Sequence, residues 1–356
     1  MKEIDYYIGK STTLSTLLVL LVLIGLFTFF SFIEEIDDIG QGNYNAASAL
    51  QFVLLQVPRR LYELFPIAAL LGTLLSLGGM ANNSELTVMR SSGIAIGRIY
   101  WSAMKAVLFM MIVVMILGEL IAPYTERQAQ HMRSIAKAER IALQTRNGFW
   151  ARDGNMFINI RDIQGSGRLG NITLFEFEND GRMHTITHTE QATYQQKEKT
   201  WILQNSEQNR FLNNRIVTQK IEKAKLNSLL NPELIGILIL KPERLSVWDL
   251  YQYVGYLKDN GQRSAPYELA FWGKILYPVL IAIMTFLAIP FVFGSLRTVP
   301  VGQRVMVGAL LGIGFHIFNQ AVGNVALIYN ISPALSSFIP SILFLILGIL
   351  LMRRVT

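Results

Sequence analysis

Long uncharged runs of apolar residues lie toward both ends of the chain. Residues 14–33 form a run of 20 without a charge, residues 64–84 a run of 21, and residues 275–296 a run of 22. An α-helix needs about 20 apolar residues to cross the roughly 30 Å hydrocarbon core of a bilayer. Each run therefore predicts one membrane-spanning helix. The first run is longer than a signal-peptide core, so we expect a permanent anchor.

The last uncharged run, residues 305–352, is too long for a single span. Asn, Ser and Pro at 329–333 are typical of a turn, which divides it into spans at about 305–328 and 334–352. A sixth span, at about 99–122, carries charges only near its ends, where long side chains reach the interface. The pattern predicts a helical membrane protein with three spans, a polar block and three more spans.

The polar block has a different pattern, with alternating residues and turn signals such as Asp153-Gly154 and Asp180-Gly181. Helical segments at about 126–143 and 242–261 flank it. We expect seven or eight short strands between them, forming a sandwich or jelly roll. An edge of such a sheet could dock a partner strand, or the sheet could simply pad the protein. The predicted strands include residues 183–189, 192–196, 200–203 and 210–221.

Charge is concentrated in the polar block. Residues 124–265 hold 20 of the 32 Lys and Arg and 15 of the 25 Asp and Glu. The formal net charge of +7 does not indicate nucleic-acid binding, because basic residues lie in mixed-sign segments beside apolar spans. The chain has no cysteine, which excludes disulfides and thiolate metal sites.

Lysines and arginines in short loops predict the orientation. With a cytoplasmic N-terminus, the outer loop after the first span holds only Arg59 and Arg60. Both termini would then be cytoplasmic and the polar block would lie outside the cytoplasm. The eight inner cations would be Lys2, Lys10, Arg90, Arg98, Arg297, Arg304, Arg353 and Arg354.

Candidate catalytic and metal motifs are weak. A GKST stretch at 9–12 lacks the earlier glycine of a phosphate-binding loop and precedes a span. His184 and His188 fall in a predicted strand without a third ligand nearby, which favours a surface strand. No predicted span contains an Asp, so paired intramembrane aspartates are excluded. His316 is the one deeply placed ionisable residue, either functional or hydrogen-bonded to a neighbouring helix.

Small residues occur along the fifth predicted span, at Gly308 and Gly312, with Gly302 and Gly314. Such a pattern permits close helix packing, and it indicates a movable seam less strongly.

The loop after the second span predicts a short amphipathic helix. Ser84 is a candidate N-cap, Glu85 lies in the first turn and Gly93 is a stop signal. Its apolar residues would insert into a groove of a cytoplasmic partner or rest on the lipid interface. The candidate docking residues are Ser84, Glu85, Leu86, Val88, Met89 and Arg90.

This loop resembles the coupling-helix signature of the LptF/LptG permease family. It reads Ser-Glu-Leu-Thr-Val-Met-Arg-Ser-Ser-Gly at 84–93. Three further segments match: Gly-Gln-Gly-Asn-Tyr at 40–44, Phe-Pro-Ile-Ala-Ala-Leu-Leu-Gly at 65–72, and Phe-Gly-Ser-Leu-Arg-Thr-Val-Pro at 293–300. The first and last of these three are more similar to the LptG branch. The three-plus-three layout agrees over the whole chain.

The resemblance implies a permease subunit that moves lipopolysaccharide out of the inner membrane of a Gram-negative bacterium. It implies an LptF-like permease partner, two copies of an LptB-like ATPase, and an LptC-like periplasmic β-jellyroll protein. No cofactor or metal is implied, and ATP would be hydrolysed by the separate ATPase. The implied division is 1–123 with the coupling helix at about 84–93, a periplasmic β-jellyroll domain with flanking helices at 124–265, and 266–356.

The same resemblance assigns the lipid-binding residues. Arg127 and Arg133 would hold lipid phosphates at the rim of an oily cavity, because phosphate attracts cations through charge-assisted hydrogen bonds. Phe315, His316 and Phe318 would line a lateral opening. Related proteins can carry lysines at the outer end of the first span, where this chain has four acids between 34 and 38, so no phosphate contact is assigned there.

Three other functions fit the chain less well. A lipoprotein-releasing permease usually has four spans, against the six predicted here. A membrane-tethered scaffold would need neither a docking helix nor a glycine-lined span. An intramembrane enzyme would need a nucleophile–base or metal set that the sequence does not offer.

Overall fold

The structure is a computed structural model. It describes residues 2–137, 148–163, 167–178, 180–212, 215–226, 232, 241–294 and 299–354. The predicted helix at 126–143 is thus described only up to 137, and the 293–300 segment only in part.

The first half of the chain is helical. A π-helical turn, Leu117–Ile121, joins α5 to α6, so that the third predicted span continues as one helix beyond the apolar run. The helices are α1 (Lys2–Ile36), α2 (Ala46–Leu55), α3 (Val57–Asn82), α4 (Glu85–Ser91), α5 (Ile96–Ile116) and α6 (Ala122–Ala136).

Six strands follow and then the remaining helices. The strands are β1 (Phe149–Asp153), β2 (Met156–Ile163), β3 (Arg168–Phe177), β4 (Met183–Gln195), β5 (Thr200–Leu212) and β6 (Arg215–Leu226). A 3₁₀ turn, Pro242–Arg244, leads to α7 (Val247–Asp259), α8 (Ala265–Phe293), α9 (Val301–Ile328) and α10 (Pro333–Met352).

Within the described residues, six helical segments are long and apolar enough to cross a membrane. They confirm the six predicted spans. Three precede the strands in the chain and three follow them. The bounds are Glu3–Ile36, Val57–Asn82, Ile96–Arg133, Ala265–Phe293, Val301–Ile328 and Pro333–Met352. Helix α2 was not predicted from the sequence, because its ten residues are too few for a span. Asn45 caps it by accepting a hydrogen bond from the Ser48 amide.

The inserted β domain is confirmed. Where a sandwich or jelly roll was expected, the described strands form one antiparallel sheet in which β1 to β6 follow chain order. The described strands are fewer and longer than predicted. The predicted strands at 183–189 and 192–196 form one strand that ends at Gln195, because Thr189 and Gln191 both keep their pairing with β5. The predicted run at 210–221 is divided between β5 and β6.

One side of the sheet packs against α7. Leu250, Tyr253 and Leu257 of α7 are buried in a cluster with Ile172 and Leu174 of β3. The apolar periodicity at 242–261 therefore buries this helix on the sheet and leads the chain back to α8, as predicted.

Helices α3 and α8 form the centre of the membrane bundle. In the most apolar stretch of each helix, the share that is buried inside the protein is 72% for α3 and 61% for α8. The corresponding share is 17% for α1 and for α9. The apolar faces of α1 and α9 are therefore open to lipid or to another subunit. The bundle has a β-domain end, at Glu119 and Glu126, and an opposite end, the α4 end, at Glu85–Ser91.

Ion pairs fasten the β-domain end. Glu119 in the π turn accepts hydrogen bonds from the Val247 amide and from Lys274 Nζ, both at 2.7 Å. Buried Glu126 of α6 meets Arg244 Nη1 at 2.5 Å and Arg59 Nη1 at 3.8 Å. These carboxylates join α6, α3 and α8 to the segment that returns from the sheet.

Glycines set two close helix contacts. A Cβ on Gly72 of α3 would lie 2.5 Å from Thr16 Cα of α1, and one on Gly308 of α9 would lie 2.6 Å from Leu71 and Leu74 side-chain carbons. The glycines of α9 at 308 and 312 therefore pack on α3, whereas those at 302 and 314 have open space.

We predict that Gly72→Ala destabilises the folded chain by about 1–3 kcal/mol, because the added methyl meets backbone that cannot move aside. Gly79→Ala in the same helix is the control, since its Cβ would meet nothing within 4 Å. Thermal unfolding in detergent measures both. Equal melting temperatures for the two variants would contradict the close approach.

Candidate functional site

The predicted amphipathic helix is present as α4, at the end of α3. The prediction that the Ser84 side chain caps it is wrong. Ser84 has a left-handed backbone with φ 62°, and its side chain makes no cap hydrogen bond, because capping requires an extended backbone there. The predicted stop is confirmed: Gly93 has φ 86° and its amide donates to the Arg90 carbonyl at 3.0 Å.

Helix α4 presents one buried side and one exposed side. Leu86 is buried in the bundle core and Met89 packs partly against it. Val88 is 63% exposed and Arg90 is exposed, so apolar and basic groups face away from the chain. The helix is anchored through Leu86 and presents Val88 outward.

The Glu85 carboxylate is held between two neighbours. Tyr7 of α1 donates its hydroxyl to Oε2 at 2.9 Å, and Asn83 donates its amide to Oε1 at 3.1 Å. Glu85 remains half-buried rather than fully enclosed. Its position therefore depends on α1 as well as on α4.

A groove of about 320 Å³ separates α4 from the end of α8. The Arg90 guanidinium lies 6.0 Å from the centre of the Phe293 ring. The groove is lined by Ala81, Leu86, Thr87, Arg90, Ser91, Val292 and Phe293.

Arg304 joins this end of the bundle together. The side chain is almost completely buried and donates hydrogen bonds to the Gly78 carbonyl and, at 2.7 Å, to Asn82 Oδ1. It therefore links the first turn of α9 to the end of α3, just before α4. From the sequence alone, Arg304 is predicted only to be one of the cytoplasmic cations. A glycine at 78 that makes room for it was the one signal available.

At the β-domain end, both predicted phosphate-binding arginines have carboxylate partners. Arg127 Nη2 meets Asp249 Oδ2 at 2.6 Å. Arg133 contacts Asp38 and lies 3.3 Å from Glu35 Oε1. Two of the acids at 34–38, Glu35 and Asp38, therefore pair with the chain's own cations.

Lys137 completes this arrangement, with Nζ 2.7 Å from Asp38 Oδ2. Hydrogen bonds from Lys137 and Arg133 hold the pKa of Asp38 below its ordinary value. Tyr44 donates its hydroxyl to Glu35 at 2.8 Å, and burial raises the pKa of this tyrosine. The loop after α1 is thereby attached to the end of α6.

The three predicted residues of α9 do not share one face. Phe315 is buried and packs edge-on against Phe344 of α10, with ring centres 4.8 Å apart. The prediction that Phe315 lines a lateral opening is wrong, because this helix turn directs it into the chain's own core. His316 is exposed and Phe318 is half-buried.

The remaining motifs have local partners. Thr12 of the GKST stretch lies within α1 and its hydroxyl is 3.3 Å from Ser76. His184 Nδ1 is 3.1 Å from Glu178, and His188 contacts a threonine of β3. In the part of the chain that the structure describes, no three potential metal ligands among His, Cys, Asp and Glu come together.

A family model described as "Lipopolysaccharide export system permease LptF/LptG" matches residues 6–354. The chain belongs to this LptF/LptG permease family. The lipopolysaccharide export system permease protein LptG of Escherichia coli (strain K12) is 34% identical over 352 residues, covering 99% of this chain and 98% of the relative. LptG of Haemophilus influenzae is 34% identical over 344 residues, covering 97% and 96%.

Membership in the LptF/LptG family covers the spans, the β domain and α4 together, since the matched region spans nearly the whole chain. It therefore confirms the resemblance found in the four sequence segments. Within this chain, Glu35 at the end of α1 is a partner of Arg133, and Asp38 just after it is a partner of both Arg133 and Lys137.

We predict that Asp38→Asn lowers the melting temperature at about pH 7 and that the difference from wild type narrows toward about pH 3. The folded-state pKa of Asp38 is depressed, so its carboxylate stabilises the protein above the ordinary value of 3.8 and loses that effect as the pH falls through the depressed value. Asp37→Asn, at an exposed neighbour, is the control. A pH-independent difference would show that the carboxylate charge is not the cause.

Proposed function

We propose that this chain is a permease subunit of a lipopolysaccharide exporter in the bacterial inner membrane. Membership in a family of that description over nearly the whole chain is the observation that carries the proposal. The subunit itself is non-catalytic and uses a separate ATPase. Its open apolar faces on α1 and α9 suit an LptF-like permease partner, with the cargo's acyl chains between the two subunits.

We propose the orientation from the charge asymmetry of the loops. Both termini and α4 face the cytoplasm, and the β domain lies in the periplasm. The proposed division is 1–123, 124–265 and 266–356. Because the chain has no cysteine, a thiol reagent can react only with the introduced residue. The single variants Ser91→Cys in α4 and Lys197→Cys in the β domain therefore show which side of the membrane each lies on. A membrane-impermeant thiol reagent added to intact spheroplasts should label only Lys197→Cys; labelling of Ser91→Cys instead would reverse the orientation.

Helix α4 is the proposed contact with an LptB-like ATPase dimer. Val88 and Arg90 are exposed, and Glu85 offers a carboxylate to a basic residue. Leu86 holds the helix to the bundle, so that a movement of the ATPase is transmitted to the spans. Ser84 shapes the turn, and Met89 packs between the helix and the core.

The cargo would be held at the β-domain end of the cavity. We propose that Arg127 and Arg133 bind phosphates of the lipid by exchanging their carboxylate partners. Exposed His316 and half-buried Phe318 of α9 face the lateral opening beside the partner permease. The lipid then passes to the β domain and to an LptC-like periplasmic β-jellyroll protein. Phe315 has no part in this site.

We predict that Glu85→Lys abolishes cargo release while the chain still inserts and assembles with its partner permease. The reversed charge repels a basic residue of the ATPase and cannot accept the hydrogen bonds from Tyr7 and Asn83. ATP-driven release of lipopolysaccharide from purified complex in nanodiscs is the measurement. Glu3→Lys, an exposed charge reversal on α1, is the control. If Glu85→Lys released lipopolysaccharide at the wild-type rate, the proposed coupling role of α4 would be wrong.

We predict that a photocrosslinking side chain at Phe318 forms lipopolysaccharide adducts and that one at Phe315 forms few. The first position is half-buried on α9, whereas the second is enclosed against Phe344. Adduct yield in membranes is the measurement. Equal yields would mean that the opening does not follow this face of α9.

A further inference from the structure

Arg60, in the first turn of α3, is a cation whose partners are all neutral. Its Nη1 donates to the Phe27 carbonyl of α1 at 2.5 Å. Its Nη2 donates to the Ser31 hydroxyl and, at 3.2 Å, to the Gln56 amide oxygen. Among the described residues, its Nε is buried and has no hydrogen-bond partner. The guanidinium is therefore fixed beside the end of α1, and no ion pair within 4.0 Å joins it to a carboxylate of the described residues; Glu63, Glu34 and Glu126 act on it only from farther away.

The neighbouring cations differ from Arg60 in this respect. The described residues place five cations at the β-domain end of α3 and α6, and four of these lie within 4 Å of a carboxylate. Among the described ion pairs at this end, none involves Arg60. The four pairs are Arg59 with Glu63, Arg127 with Asp249, Arg133 with Asp38, and Lys137 with Asp38.

Two of the three carboxylates whose charge reaches Arg60 are paired with other arginines, and the third faces water. Glu63 is bonded to Arg59 at 2.8 Å, and Glu126 is bonded to Arg244 at 2.5 Å. Glu34 is exposed to solvent. A guanidinium that is partly removed from water without an anionic partner is unfavourable, and a planar fork of donors binds phosphate well. An external anion is the partner that this position lacks.

We propose that Arg60 binds a phosphate group of the lipid cargo. This inference rests on the proposed function and adds a binding residue on α3, next to the open face of α1. At Arg127 and Arg133 a phosphate must first displace Asp249 or Asp38, whereas at Arg60 it displaces no carboxylate. Arg60 therefore makes the first contact with the headgroup, before the two carboxylate-paired arginines exchange partners.

The test uses the complete complex in nanodiscs without nucleotide, with bisphosphorylated lipopolysaccharide and the same lipid after removal of its phosphates as probes. Arg60→Gln should weaken binding of the phosphorylated lipid about tenfold or more, and Arg60→Lys should retain most of it. Binding of the dephosphorylated lipid should be the same in wild type and Arg60→Gln. Arg263→Gln, an exposed arginine bonded to the Leu327 carbonyl, is the control and should bind normally.

Several outcomes separate the possibilities. If wild type binds and Arg60→Gln binds equally well, Arg60 is only structural and the inference is wrong; if wild type takes up no lipopolysaccharide, the proposed function fails instead. An equal loss in Arg263→Gln would overturn the specific site. Stabilisation of wild type but not Arg60→Gln by inorganic phosphate alone would assign a free-phosphate site and overturn the lipid assignment.

A second measurement does not depend on the folding of Arg60→Gln. A photocrosslinking side chain at exposed Phe27, whose carbonyl accepts from Arg60, should form adducts with the phosphorylated lipid in an otherwise native chain. These adducts should fall severalfold with the dephosphorylated lipid. Equal adducts with both lipids would contradict a phosphate contact at Arg60.

Discussion

The cost of removing charged groups from water determines how the ends of this helical bundle are joined. An unpaired ion in a low-dielectric region costs several kcal/mol, whereas apolar side chains in lipid gain little by contacting one another. Buried Glu126 therefore requires Arg244 and Arg59, and Glu119 requires Lys274 and the first amide of α7. These contacts decide which helices meet at the β-domain end. Arg304 does the same at the α4 end through backbone and amide oxygens.

Sequence patterns predicted those parts of the fold that depend on local composition. The six spans, the continuation of the third span and the helix at α4 follow from run lengths and stop signals such as Gly93. The partners of individual charges could not be predicted, because Glu126 and Arg244 are far apart in the chain and nothing local links them. Phe315 is a different case: it lies three residues after Gly312, on the buried side of α9 that Gly308 and Gly312 mark, and the assignment to a lateral opening did not use that spacing.

The charge pairs also set the conditions under which an anionic cargo can bind. Under the proposed function, a lipid phosphate must compete with Asp249 for Arg127 and with Asp38 for Arg133. Competition weakens binding, but it also gives each arginine a partner when the cargo leaves. A transporter must release what it binds, so partial compensation at the rim suits the task better than a set of unpaired cations. The acids at 34–38 contribute to this balance.

The same reasoning connects α4 with the spans. Helix α4 is short and has only one fully buried side chain, Leu86, so it could not by itself impose a movement on the bundle. It is, however, bounded by two fixed points: Tyr7 of α1 holds Glu85, and Arg304 of α9 holds the end of α3 directly before it. A force on α4 therefore reaches α1, α3 and α9 through hydrogen bonds rather than through apolar contact alone. Since α1 and α9 carry the open faces, the proposed docking helix is linked directly to the helices that would enclose the cargo.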